Sequence, residues 1–553
     1  MNKLLSLSFF VIINFICISQ TENQFLWPID SPQVITGNYG ELRPNHFHAG
    51  IDFSTNGKLN LPIYAIADGY ISRIKVNSTG YGKSIYITHK DGKLSLYAHL
   101  NSFAQKIADI VKKEQYKKQN YEVDFKLNPN DIKITAKEII GLSGNSGNST
   151  GPHLHFEIRD EQSETPLNPL EYYEVNDTIA PTIQQIAFYN LADTSSPKFL
   201  SAYKIKQTKK DSLVLLKDSI ILKQGILGFA FSGFDQFKIK GCRNNIFCAK
   251  LYFDGKLIYT HQLDQIHFDE SRYVNEFSEE IEKTKFQKCF LPTLYPKAMY
   301  DNCKNKGRIL LTDTNYHSIL LTTNDEQGNE RSFKFYFKTK KLNYYSKPTI
   351  NSDVYVNCSK DFMISKNKLQ IFIPANTLYY STALIFENTI ENTGKLIILP
   401  TDLHLKSTSI VGFEVPKKYL RNKTKLVLKS GTSVLKPINV NDSVFYSVQN
   451  FGWFQLIQDT VAPKIKTQIP EKKLNAIKKS NSISFIMIDD LSGIFKYNLF
   501  VNDKWVLGEY DAKSDVITYN FDANTPSGTL NIKLEAKDKV GNNTTFEYKV
   551  LSH

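Results

Sequence analysis

Four strings in the first third of the chain gather side chains able to do chemistry. Asn45 to Phe53 reads NHFHAGIDF and sets His48 and Asp52 in a His-x-Gly-x-Asp frame. Leu96 to Leu100 (LYAHL) carries His99. Pro152 to Ile158 (PHLHFEI) carries His153 and His155, directly behind the turn GLSGNSGNSTG at Gly141 to Gly151. Alternate residues of a strand share a face, so His153 and His155 point into one cleft. Imidazole and carboxylate suit Zn2+, and a catalytic zinc takes three protein ligands while keeping one position for water. Such a metal lowers the pKa of its water toward ~7 and polarises a carbonyl, which is what amide hydrolysis requires. Histidines beyond the ligand set can serve as general base or stabilise an oxyanion.

Other readings of these residue types are weaker. His46 could share a face with His48, whereas His89, His261, His267, His317, His404 and His553 read as structural or surface residues. The Gly-rich turn lacks the Lys of a phosphate-binding loop. It reads as a cleft wall where backbones approach closely.

The elements that position these residues belong to a chain of 553 residues, too long for one domain at about 150 residues each. Apolar residues at 41% and charged residues at 22% exclude disorder as the main state. With 36 Phe and 30 Tyr against 4 Met, the composition favours strands. Met1 to Gln20, MNKLLSLSFFVIINFICISQ, has the positive start, apolar stretch and small residues (Cys17, Ser19) of a secretory signal. It is short for an uncleaved anchor, and Ile16 speaks against a lipoprotein site at Cys17. No later run is long and apolar enough for a membrane helix, so no transmembrane span is expected after cleavage. The net charge of +13 calls for an anionic partner, and export excludes most nucleic-acid roles.

Punctuation divides the rest. NDTIAPTI (Asn176 to Ile183) and QDTVAPKI (Gln458 to Ile465) repeat one linker. Behind each come Ser-Gly, a hairpin string (Leu251 to Tyr259, Leu499 to Leu507) and an Asp-x-x-Gly-Asn turn at Asp325 and Asp538. The expected organisation is a signal over 1–19 and a catalytic domain over 20–176. An Ig-like β module with an insertion then occupies 177–342, a β module of unclear type 343–458, and a second Ig-like module 459–553. The acidic turn at Asp489 and Asp490 reads as solvated rather than as a calcium site. Cys242, Cys248, Cys289 and Cys303 cluster in sequence, and in an exported protein the local pairs Cys242–Cys248 and Cys289–Cys303 are expected, with Cys358 free. A zinc ribbon is disfavoured because neither pair has Cys-x2-Cys spacing.

Taken together and in order, the His-x-Gly-Ile-Asp, Tyr-Ala-His-Leu and Gly-Pro-His-Leu-His-Phe-Glu strings resemble the M23 (lysostaphin/LytM-type) zinc metallopeptidases, over residues ~30–172. The resemblance implies a mainly β chain, with an antiparallel catalytic sheet followed by β-sandwich modules. It implies His48, Asp52 and His155 as zinc ligands, His153 as general base toward the zinc-bound water, and His99 as orienting or oxyanion-stabilising residue. Peptidoglycan, an anionic polymer outside the cytoplasm, is the implied substrate, and the β modules could engage other envelope proteins. The rival reading is a non-catalytic envelope module that binds peptidoglycan or activates another hydrolase. One departure stands out. Asn101 to Lys137 is long and Lys-rich, with Ile107, Ile110 and Val111 spaced for a helix face. It reads equally as a lid over the groove or as a solvated excursion.

Overall fold

The computed structural model describes residues 25–552 apart from 31–33, 193–196, 209–211, 218, 239–240, 342–351, 402, 469–480 and 523–524. The expected signal segment lies outside the described residues. Among those described, no helix is long and apolar enough to cross a membrane. The chain is mainly β, as expected, and nearly all of its strand pairs are antiparallel.

The N-terminal sheet is built from β1 (Ile35–Gly37), β4 (Ile51–Ser54), β6 (Gly69–Val76), β7 (Lys83–His89), β8 (Lys93–Leu100), β10 (Val123–Lys126) and β13 (His153–Asp160). Their spatial order is β1-β4-β13-β8-β7-β6-β10. Shorter pieces complete the region: β2 (Leu42–Arg43), β3 (His46–Phe47), β5 (Pro62–Tyr64), β9 (Ser102–Phe103), β11 (Lys133–Ile134), β12 (Ile139–Leu142) and β14 (Pro166–Leu167). Strand β13 shows why the sheet can carry a site. Its even-numbered residues Leu154, Phe156 and Ile158 enter the apolar core with Ile51, Phe53 and Tyr97. The period of two then sends His153, His155, Glu157 and Arg159 to the other face.

The insert is neither a lid nor a solvated excursion. Helix α1 (Gln105–Lys118) buries Ile107 and Val111 in the N-terminal core, which the apolar spacing anticipates. Behind it β10 and β11 pair with β6, at the edge of the sheet away from β4 and β13. The exposed side of α1 meets the C-terminal strands, where Lys112 pairs with Asp522 and Tyr116 packs edge-on against Trp505.

Beyond residue 177 the larger apolar cores among the described residues are each drawn from facing sheets: Ile183 to Phe337, Val356 to Leu456, and Ile483 to Val550. A smaller cluster joins Tyr39 and Phe47 of the N-terminal region to Leu263, Tyr273, Phe277 and Tyr379. The cysteine expectation is corrected. Cys242, Cys248, Cys289, Cys303 and Cys358 are all free thiols. Cys248 and Cys289 are buried as small apolar side chains, Cys242 is exposed, and the Cys303 thiol donates to the carbonyl of Thr260 at 3.4 Å.

Candidate metal centre

Register assembles the site. β13 pairs with β4 so that His155 lies opposite Asp52, and with β8 so that His155 lies opposite Ala98. The glycine of the His-x-Gly-x-Asp frame makes this pairing possible. A Cβ at Gly50 would sit 2.2 Å from the Phe156 carbonyl oxygen and push the strands apart. His48, Asp52 and His155 thereby bring one donor atom each within 4.8 Å of one another. His48 Nε2 lies 2.9 Å from His155 Nδ1, and Asp52 Oδ1 is 3.1 Å from the first and 2.9 Å from the second.

Each of the three is held from behind. His48 Nδ1 donates to the carbonyl of Asn38 at 2.8 Å, leaving Nε2 as the free donor atom. His155 Nε2 donates to Glu157 Oε1 at 2.8 Å, leaving Nδ1 turned inward. Asp52 Oδ2 accepts from Arg43 at 2.5 Å, leaving Oδ1. Glu157 is itself fully buried between Arg159, which donates to Oε2 at 2.6 Å, and the Tyr81 hydroxyl at 2.5 Å. Such outer partners fix ring orientation and raise ligand basicity in metal sites. The donor set is therefore one that fits a zinc ion. A second observation agrees: His153 Nε2 is buried without a hydrogen-bond partner, 3.5 Å from Asp52 Oδ1.

His153 and His99 flank the cluster. His153 Nδ1 donates to the Gly151 carbonyl at 2.9 Å, and His99 Nδ1 to the Ser146 carbonyl at 2.8 Å, so both rings are oriented by the Gly-rich turn. Their centroids are 4.8 Å apart, and His99 is 5.9 Å from His155. Regular alternation would send His99 to the face opposite Ala98 and His155. Its left-handed φ of 59° ends the strand geometry and returns the ring to the site. The turn fits closely, as its composition suggests. A Cβ at Gly144 would lie 2.3 Å from the Asn101 nitrogen, and Gly147 (φ 69°) would meet the Gly80 carbonyl at 2.3 Å.

The electrostatics follow from burial and pairing. Burial opposes a charge on Asp52, but His48 and His155 hold its carboxyl well below the usual range. Burial likewise disfavours His155 as a cation, yet its bonds to Asp52 and Glu157 raise it to about 9. Glu157, despite burial, is held near about 2 by Arg159 and His155. His99 is pushed down to about 3 by burial and by the neighbouring His155 and His153, and stays neutral.

All five residues singled out in the sequence are thus brought together. His46 is exposed and its Nδ1 turns to the Pro44 carbonyl. His89 is a structural residue between Asp68 and Ser95. Asn38, Arg43, Tyr81, Glu157 and Arg159 were not anticipated. Glu157 and Arg159 had a readable signal, since they follow His155 at i+2 and i+4 of one strand. Asn38 lies outside any strand and Arg43 ends the two-residue strand β2, too short to show a period, so neither carries one.

Residues 46–116 match peptidase family M23. Residues of this chain are 33% identical over 123 positions to the DD-carboxypeptidase/endopeptidase Mpg of Neisseria meningitidis, covering 22% of each chain. They are 29% identical over 144 positions to lysostaphin of Staphylococcus simulans, covering 24% of each. The match therefore spans only about a fifth to a quarter of these relatives' length. Among solved structures, a catalytic domain of the prophage-encoded M23 protein EnpA of Enterococcus faecalis is similar at 28% identity. That similarity covers 26% of this chain and 95% of that one, with a TM-score of 0.20.

Proposed function

The chain carries a peptidase domain of family M23, and on that premise we propose that it is an exported zinc-dependent endopeptidase acting on the peptides of peptidoglycan. The observation that carries this reading is the orientation of His48, Asp52 and His155, each with one donor atom turned inward and the other atom held by a separate partner. We take these three as the ligands. Bound there, zinc supplies a Lewis acid and a water of lowered pKa. The remaining chemistry belongs to the protein. His153 Nε2, unpaired and facing the cluster, takes the proton of the attacking water and returns it to the leaving amine. His99, neutral and with its one ring proton held on Nδ1 by the Ser146 carbonyl, presents Nε2 as an acceptor that orients the attacking water. The Gly-rich turn forms one wall along which an extended peptide lies.

The substrate class rests on the relatives' names and on charge. A DD-carboxypeptidase/endopeptidase and a glycyl-glycine endopeptidase are both among the similar proteins, and DD and glycyl-glycine bonds belong to bacterial wall peptides. The net charge of +13 suits an anionic wall polymer. The test is incubation of the purified chain with sacculi, with and without chelator. Chelator-sensitive release of muropeptides is expected. Zinc-loaded protein that binds sacculi and releases nothing would instead support the non-catalytic reading.

A further inference from the structure

The two repeated linkers have a second use in the fold. In the first β module Asn329 donates from Nδ2 to the Asp177 carbonyl at 3.0 Å and to Asp325 Oδ2 at 2.7 Å. In the last module Asn542 does the same toward the Asp459 carbonyl at 3.0 Å and Asp538 Oδ2 at 2.6 Å. The linker Asp and the Asp-x-x-Gly-Asn turn are thereby clamped side by side in both copies. A third carboxylate joins each pair, giving Asp177–Asp235–Asp325 and Asp459–Asp489–Asp538, with donor oxygens within 4.8 Å of one another.

The two clusters differ in one decisive respect. In the last module the third carboxylate is satisfied: Asp489 accepts from the Gly493 N–H at 2.6 Å and the Leu491 N–H at 3.2 Å, and Asp459 Oδ2 accepts from the Ser492 N–H at 3.1 Å. In the first module Asp235 is 0% exposed and neither of its carboxylate oxygens has a hydrogen-bond partner among the described residues. Asp177 Oδ2 and Glu326 Oε2 are also buried and unpartnered. Burying a bare carboxylate is costly, so such a group is retained where something neutralises it. Burial and the charges of Glu326, Asp325 and Asp177 push Asp235 up to about 8, and burial pushes Glu326 up to about 7.

We infer that Asp177, Asp235 and Asp325, with Glu326 beside them, form a binding site for a hard divalent cation of the calcium class in the first β module. The donors are all oxygen and all anionic, which suits calcium or magnesium rather than zinc. The number of carboxylates favours calcium, because magnesium is usually held by one or two of them and keeps several waters. The site also lies at a junction. Glu326 Oε1 accepts from Asn38 Nδ2 at 3.1 Å, and the Asn38 carbonyl is the acceptor of His48 Nδ1. The cation fixes Glu326 against Asn38 and so braces the loop behind the candidate zinc centre.

The test uses the full chain, stripped with chelator and reloaded with one equivalent of zinc, then titrated with calcium by calorimetry and followed by thermal unfolding. One saturable calcium event is expected, with a rise in Tm of roughly 5–10 °C at a hundredfold excess over Kd. Asp235→Asn abolishes both while zinc content stays at one equivalent, and Asp489→Asn abolishes neither. In chelator Asp235→Asn is at least as stable as the wild type, because one repelling carboxylate is gone. Calcium binding that survives Asp235→Asn, a wild type without a calcium event, or an Asp235→Asn variant that does not fold in chelator would each overturn the inference.

Discussion

Glu157 lies fully buried behind His155 and accepts the proton of its Nε2 at 2.8 Å, while Arg159 neutralises the same carboxylate from the other side. This fixes which imidazole nitrogen can face a metal. Replacing Glu157 by Gln removes the charge that makes His155 a stronger donor and leaves Arg159 facing a neutral group. Outer partners of this kind are worth about 10–100-fold in metal affinity or activity. Glu157→Gln is therefore expected to weaken zinc binding by that factor, read by competition with a chromophoric chelator. An unchanged affinity would show that Glu157 only fills space.

The proton on His155 gives the metal-free site a pH signature. Its folded value of about 9 stands above the ordinary 6.5. A raised cationic group stabilises the fold fully below the unfolded value, and that contribution is lost as pH rises through the folded value. The metal-free protein is thus expected to lose Tm between about pH 6.5 and 9. Zinc-loaded protein lacks this decline, because a ligand imidazole carries no proton on its donor atom. Apparent zinc affinity should rise by up to roughly tenfold per pH unit over the same window, with one proton released on binding. Calorimetry in two buffers of different ionisation enthalpy checks the release; parallel Tm curves for the two forms would sink the assignment.

Removing the flanking histidines should separate chemistry from metal. His153→Ala and His99→Ala take away groups whose rings are oriented by the Gly-rich turn rather than by the cluster. Loss of a general base typically costs about 10²–10⁴-fold in rate. Both variants are expected to keep stoichiometric zinc and lose activity in that range, whereas His155→Ala loses the zinc. If His153→Ala lost its metal as well, it would belong among the ligands.

Much of the site was legible because strands write their contacts with a fixed period. His153 and His155 announced a shared face, and Ile107 and Val111 announced a helix that packs into the core. The pairing of β4, β8 and β13 is set by long-range register, so only the resemblance to a known family could bring His48, Asp52 and His99 to that face in advance. Three features escaped for physical reasons. Asn38 reaches the centre from outside any strand and Arg43 from the two-residue strand β2, too short to show a period. The insert lengthens the sheet edge because β10 finds a partner in β6, a tertiary choice that local spacing does not encode. The cysteines are free thiols although Cys289 and Cys303 share one apolar core, since sharing a region does not by itself supply the geometry a disulfide needs.

Gly50 offers the sharpest test of how sequence dictates the site. A methyl group there meets the Phe156 carbonyl oxygen at 2.2 Å, and neither backbone can yield without shifting the pairing that sets Asp52 opposite His155. Overpacking of this kind costs about 1–3 kcal/mol. Gly50→Ala is expected to lower the Tm and, more tellingly, to weaken zinc binding although no ligand is changed. Gly57, where an added Cβ meets nothing within 4 Å, is the matched control, and its φ of 74° confines the cost of Gly57→Ala to backbone strain. Equal zinc affinity in Gly50→Ala and wild type would mean that β4 relaxes without moving Asp52, and the register argument would fail.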